Sequence, residues 1–282
     1  MMQLVTTTRG IGALDGDHVH LVATDHATLD EALRAGPLSA LETAETRATA
    51  ALADLEILPP VTAPGTFVIV GLNYRSHAGE VEIPLPEEVL FTTLPGEGRV
   101  TAPGGTVVLP ATNPDQVDYE GEIAIVIGTR ASSVPAGRAW DHVAGVTAAN
   151  DVSARDVQME ALLAGETGPT QADAKGFPTF KPLGPVLVTV DDPASFDIAI
   201  STTVNGEPRQ SAHLSDLVFD VPQIIEAVTA QRTLEPGDVI CTGSPDGVGF
   251  ATGQFLVPGD VVEVRLGDLP PLRSVIAAPT EP

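Results

Sequence analysis

The sequence predicts a mostly β fold with some α, an α+β chain, on three observations. From Thr66 onward, short apolar segments alternate with Gly and Pro turns. Only a few segments carry helical spacing. The sequence holds no evident repeat and neither a GxGxxG nor a phosphate-loop pattern. Many short strands with few helices point to a mixed sheet, a sandwich or a rolled barrel.

Residues 1–61 read as a small N-terminal domain and residues 62–282 as a larger second one. Gly16-Asp17 separates Ile11–Leu14 from Val19–Ala23, a hairpin signal. Leu41, Ala44, Ala48, Leu52 and Leu55 are spaced as on a helix over Ala40–Leu55. Pro59-Pro60 and Pro64-Gly65 close this unit. Phe67–Tyr74 is an apolar strand running into a polar segment, 75–88. Thr106–Leu109 is another short strand. Asp118–Gly128 reads as one strand with Ile123, Ile125 and Ile127 on one face. Glu120 and Glu122 share the other face with Ala124 and Val126, because side chains two apart point the same way.

His142–Gln158 reads as a strand that breaks at Asn150-Asp151 and opens a helix with Ser153 as its cap. Gly165–Lys175 suits a surface loop, and Pro185–Val190 a strand. Asn205-Gly206 marks a tight hairpin. Val221, Ile224, Ile225 and Val228 form one helical face. Pro236–Asp238 and Pro258–Asp260 are turns, each leading into a Val-containing strand.

The totals narrow the function classes. The 282 residues are 43% hydrophobic, ample for a core. Lys and Arg number 14 against 38 Asp and Glu, a net charge of −24. Such a surface disfavours nucleic acid and anionic membranes, both of which need phosphate neutralised. One cysteine, Cys241, excludes an internal disulfide framework. No apolar run suffices for a membrane span, and the N-terminus lacks the pattern of a secretory signal. The expected location is cytoplasmic.

Four groups of residues could carry chemistry. Glu120, Glu122 and Asp151 offer carboxylate oxygens with no paired histidines, a donor set for Mg²⁺ first, with Mn²⁺ and Ca²⁺ as alternatives. A solvated strand end with Asp151 as a plain helix cap explains the same residues. His77 and Glu80 are three apart, so on a helical turn the carboxylate orients the imidazole as a general base; a surface histidine beside an acid is the alternative. Arg155, Gln158 and Lys175 lie near the acids in a chain poor in bases. Arg155 suits a substrate carboxylate or Asp151, and Lys175 an oxyanion; ordinary salt bridges fit equally. In Cys241–Gly249, small residues with Thr242, Gly243 and Ser244 suit an oxyanion cradle or simply a tight turn.

Taken together, GLNYRSHAGE, DYEGEIAIVIG, NDVSARDVQ, KGFPTFKPLGP, VNGEPRQ and LEPGDVICTGSPDGVG stand in an order that resembles the fumarylacetoacetate hydrolase family, over roughly Val68 to Val275. The resemblance implies that family's rolled mixed β-sandwich or barrel, a homodimer, and a divalent metal on Glu120, Glu122 and Asp151. It implies cleavage of a C–C bond in a 1,3-diketone or acylpyruvate-type 2-oxo acid. Decarboxylation of a 2-oxo acid or keto–enol isomerisation at the same site is the alternative. His77 and Glu80 match the family's water-activating pair and Lys175 its active-site lysine. Tyr74, Arg155, Gln158, Gly243 and Ser244 match substrate-side positions, with Ser244 where threonine is commoner. Thr93 stands where the family pattern Phe-x-Lys-Pro has lysine, which favours a larger or less anionic diketone.

Overall fold

The computed structural model describes residues 1–164 and 170–279. In chain order the elements are β1 (Gln3–Thr7), β2 (Gly10–Asp15), β3 (His18–Val22), α1 (Leu29–Ala35), β4 (Thr46–Ala51), β5 (Ile57–Leu58), β6 (Thr66–Gly71), α2 (Arg75–Glu80) and β7 (Leu90–Pro95). Next come β8 (Val100–Thr101), β9 (Thr106–Val108), β10 (Val117–Asp118), β11 (Gly121–Ile127), β12 (Val143–Asn150), β13 (Ser153–Ala154), α3 (Arg155–Ala164) and α4 (Gln171–Lys175). The chain continues through β14 (Lys181–Pro182), β15 (Leu187–Val188), β16 (Ala199–Val204), β17 (Glu207–His213), α5 (Val221–Gln231), β18 (Val239–Cys241), α6 (Gly249–Thr252), β19 (Val261–Leu266) and β20 (Leu272–Ala277).

The fold is the expected mostly β, α+β one. The large sheet runs β4-β3-β2-β1-β15-β12-β11-β18-β6-β7, with β5 beside β1, and a second sheet runs β17-β16-β19-β20-β9. The N-terminal strands thus extend the sheet that holds β11, through β1 against β15.

Two apolar layers flank the large sheet. Ile123, Ile125, Ile127, Val146, Val68 and Ile240 pack with Ile200, Val262, Val264 and Ile276 of the second sheet. On the opposite face Ala124, Val126, Cys241, Phe67 and Ile69 pack with Leu29 and Leu33 of α1. The alternation along β11 therefore sorts its side chains as the sequence implies, and both faces are buried.

Other expectations hold or fail for identifiable reasons. Gly16-Asp17 joins β2 to β3, and Asn205-Gly206 joins β16 to β17 with both residues at positive φ. α5 buries Val221, Ile224, Ile225 and Val228 behind an Asp220 capping box. The helix expected over Ala40–Leu55 is absent. Its centre is β4, an edge strand paired to β3, in which Ala48 and Ala50 repeat with period two. Alanines at 44, 48, 50 and 51 satisfy both periods, and the open edge of β3 decides between them. The Asp118–Gly128 strand is interrupted at Tyr119-Glu120, because β10 pairs with β13 rather than with β12. Of the surface loop expected over Gly165–Lys175, Gly165–Pro169 lie outside the described residues. The remainder is α4, opened by a Thr170–Asp173 capping box and ending on a buried Lys175.

Candidate metal centre and active site

Glu122 projects from β11 and Glu120 from the interruption before it. Asp151 follows β12, and its N–H donates to the Glu120 carbonyl at 2.8 Å. Asn150 Oδ1 accepts from the Glu120 N–H at 3.0 Å. These backbone ties bring the carboxylates to one face. One ligand atom from each of Glu120, Glu122 and Asp151 lies within 4.8 Å of the others, and all three residues are buried. Gly121 permits the approach of the second sheet beneath them, since a Cβ there would stand 2.0 Å from Thr202 Oγ1.

Cations and backbone donors hold these acids. Glu120 Oε1 meets Arg155 Nη1 at 2.7 Å, and its Oε2 accepts from Lys175 Nζ at 2.6 Å. Lys175 also donates to Asp151 Oδ2 and to Ser153 Oγ. Lys181 Nζ stands 2.8 Å from Asp151 Oδ1. Glu122 Oε2 accepts from the Gly243 N–H at 2.7 Å.

The electrostatics follow. Burial raises the Glu120 carboxyl, yet Lys175 and Arg155 outweigh burial and hold it well below the carboxylate range. Burial, then Asp151 and Glu120, push Glu122 well above that range. Burial lowers the Lys175 ammonium, but Asp151 and Glu120 raise it on balance, so it stays charged. Three crowded carboxylates with one driven toward protonation fit a divalent ion, which relieves the repulsion a proton otherwise relieves.

His77 and Glu80 lie on α2, as the spacing predicts. His77 Nδ1 is 3.3 Å from Glu80 Oε2, while Glu80 Oε1 accepts from the Gly247 N–H at 2.8 Å. The pair is mostly buried but open to solvent, and His77 is near enough to Glu120 to lower its carboxyl further.

Several residues stand elsewhere than expected. Arg155 does not orient Asp151. Its Nε donates to Asp118 Oδ2 at 2.8 Å and its Nη1 serves Glu120 and Gln158. Ser153 does not cap α3. It lies in β13, donates to the Asp151 carbonyl and accepts from Lys175. In the Cys241–Gly249 segment, Thr242 Oγ1 donates to the Ile123 carbonyl, and Ser244 bonds Gly121 and Gln210. Gly243 thus cradles the protein's own Glu122. Tyr74 is fully buried, its phenol pushed up by burial and then by Glu122. Gln158 is half-buried and donates to Gln171. Thr93 pairs with Val68, which pairs with Ile240 and so with Ile125. It therefore faces the sandwich core, and Thr92 shares the carboxylate face through Ile69, Cys241 and Ala124.

The family model described as "Fumarylacetoacetate (FAA) hydrolase C-terminal" matches residues 66–277. The chain belongs to the fumarylacetoacetate hydrolase family. It is similar to the mitochondrial oxaloacetate tautomerase FAHD2A of Bos taurus, 40% identical over 220 residues, 77% of this chain and 68% of that protein. A probable 2-hydroxyhepta-2,4-diene-1,7-dioate isomerase from Mycobacterium abscessus superposes with TM-score 0.82 at 30% identity over 99% of each chain. A fumarylacetoacetate hydrolase from psychrophilic Exiguobacterium antarcticum does so with TM-score 0.83 at 31% identity, over 99% of this chain and 100% of that one.

Three further residues that no local motif singles out, Asp118, Gln210 and Lys181, also join this cluster. Asp118 accepts from Arg155, Gly249 and Phe250, locking the arginine. Gln210 links Gly121 to Ser244. Lys181 completes the cation set, and a signal for it exists. The chain has only two lysines, Lys175 and Lys181, and both are buried against Asp151.

Proposed function

We propose that the protein is a metal-dependent enzyme acting on 2-oxo acids, and that its reaction is keto–enol tautomerisation or a related isomerisation. The observation that supports this most is the arrangement of a solvent-reached, acid-oriented histidine beside three buried carboxylates and an ammonium. That set suffices for moving a proton at a carbon next to a carbonyl, without a positioned water. The names of the tautomerase and isomerase relatives lean the same way.

Glu120, Glu122 and Asp151 would hold the ion, Mg²⁺ by preference with Mn²⁺ or Ca²⁺ as alternatives. When bound it supplies Lewis acidity and a template for the substrate's neighbouring oxygens. His77, with Nδ1 fixed by Glu80, removes a proton from C3 of the keto acid through Nε2. The electron pair moves onto the carbonyl oxygen, and Lys175 stabilises the charge that develops there. The proton returns to that oxygen, giving the enol. The reverse sequence gives the keto form. Arg155 and the Gly243 N–H position Glu120 and Glu122, Gln158 holds Arg155, and Ser244 and the buried Tyr74 support the segment behind them.

A second reading is hydrolysis of a C–C bond in an acylpyruvate-type diketone, favoured by the solvent access of His77 and Glu80. There His77 deprotonates water, the new C–O bond forms at the carbonyl, and the C–C pair leaves as an enolate. We further propose a homodimer in the cytoplasm. Among the described residues no helix is long and apolar enough to cross a membrane. Light scattering tests the dimer.

The functional test follows oxaloacetate by NMR in deuterated water and acetylpyruvate in ¹⁸O-water. Catalysed enol–keto exchange, lost on chelation and reduced roughly 10²–10⁴-fold in His77→Ala, is the expected result. Label entering a new carboxylate, with no accelerated exchange, would replace tautomerisation by hydrolysis.

A further inference from the structure

We infer that Lys181 is a positioning residue that makes the site discriminate small six-coordinate ions, Mg²⁺ and Mn²⁺, from Ca²⁺. The inference rests on the three-carboxylate metal reading above and concerns how each carboxylate is held. Glu120 has Oε1 held by Arg155, Glu122 has Oε2 held by the Gly243 N–H, and Asp151 has Oδ1 held by Lys181. In each pair the protein grips one oxygen. On Glu120 and Asp151 the other oxygen faces Lys175 Nζ, the ammonium at the end of a long side chain, which stands where an ion would bind. Once that ammonium yields its place, each of the three carboxylates has one oxygen to offer.

Three single-oxygen carboxylates on one face leave about three positions of an octahedron to water or substrate, which suits Mg²⁺ and Mn²⁺. Ca²⁺ gains from carboxylates that chelate through both oxygens and from higher coordination numbers. Of the three grips, Lys181 is the decisive one. Arg155 is itself locked by Asp118, and the Gly243 grip is backbone. Lys181 is 1% exposed and acts by ion pairing, its Nζ 2.8 Å from Asp151 Oδ1 but outside hydrogen-bond angles. Its hydrogen bonds go to the carbonyls of Lys175 and Phe180. These carbonyls fix the ammonium from behind and aim its charge at Oδ1. Without that charge, Asp151 is free to turn and present both oxygens.

The test is calorimetric titration of the full chain, freed of metal by chelation, with Mg²⁺ and with Ca²⁺ separately. Wild type should prefer Mg²⁺ relative to Lys181→Met, and the substitution should shift the ratio of the two affinities toward Ca²⁺ by roughly tenfold or more. Equal changes in both affinities would reduce Lys181 to a structural residue and overturn the inference. Failure of wild type to bind either ion would instead overturn the metal reading beneath it. Wild type gives an independent check that needs no folded variant. Loaded with Mn²⁺ in ¹⁷O-water, its electron spin resonance should count about three bound waters. Two or fewer would mean a chelating carboxylate and sink the proposal.

Discussion

The two halves of the carboxylate cluster are built on different principles. Glu120 and Asp151 sit among side-chain cations, Arg155, Lys175 and Lys181. Glu122 has a backbone N–H, from Gly243, and no cation of its own within ion-pair distance among the described residues. Two glutamates two residues apart consequently shift in opposite directions, Glu120 down and Glu122 up. The first half is balanced without an ion. The second is short of positive charge, and it is there that a divalent ion gains most. Charge deficiency, more than the number of carboxylates, marks where the ligand belongs.

Removing Lys175 should break the contrast most severely. In Lys175→Met the first half loses the cation that its two carboxylates share and keeps only Arg155 on Glu120 and Lys181 on Asp151. Taking one partner from a buried pair costs about 3–5 kcal/mol, because the other charge is left uncompensated. Thermal unfolding of the chelated variant should show that loss, and Mg²⁺ should restore much of it by occupying the vacated place. Its Mg²⁺ affinity should rise while turnover falls roughly 10²–10³-fold, the cost of losing an oxyanion donor. An equal loss of thermal stability with and without Mg²⁺ would show that the ammonium and the ion do not compete.

How much of this was legible in the sequence depends on whether one residue's neighbours or distant pairing decide. The Ile123-Ile125-Ile127 alternation fixes which way Glu122 points, so that part of the site is visible locally. His77 and Glu80 are likewise a short-range pair. The Ala40–Leu55 segment was not legible, because alanine suits both periods and only the unpaired edge of β3 selects a strand. Ser153 reads as a cap until β10 claims it as a partner and Lys175 claims its hydroxyl. Arg155 is near Asp151 in sequence but near Asp118 and Glu120 in space. Lys181 precedes a proline, in a segment whose burial comes from the parallel pairing of β14 with β8. Its charge partner lies thirty residues back, and no local pattern encodes that.

A smaller effect is expected on the backbone side. Gly243 has φ +102°, and a Cβ there would stand 3.0 Å from Asn73 Cβ. Gly243→Ala should therefore cost about 1–2 kcal/mol from the left-handed backbone alone. Because the same N–H holds Glu122, the strain should also loosen that grip and weaken Mg²⁺ binding by roughly tenfold. Calorimetry separates the two. Lower thermal stability with unchanged Mg²⁺ affinity would mean that the N–H does not position the carboxylate.

The smallest expected effect is in the pH dependence of stability, where the halves should pull in opposite directions. Glu120 has a folded pKa below its ordinary value of 4.5, so its contribution is present above that pH and lost as pH falls through the depressed value. Glu122 has a folded pKa above 4.5, so the chelated protein binds more protons there than the unfolded chain does. Its stability should then decline as pH rises from about 4.5 toward the raised value. Mg²⁺ replaces the proton at Glu122 and should abolish that decline while leaving the acid limb governed by Glu120. Unfolding midpoints measured across this range, with chelator and with Mg²⁺, provide the check. In Glu122→Gln the decline should disappear without any metal. Persistence of the decline in that variant would assign it to another buried acid, with Asp118 and Asp238, both raised chiefly by burial, the groups to examine next.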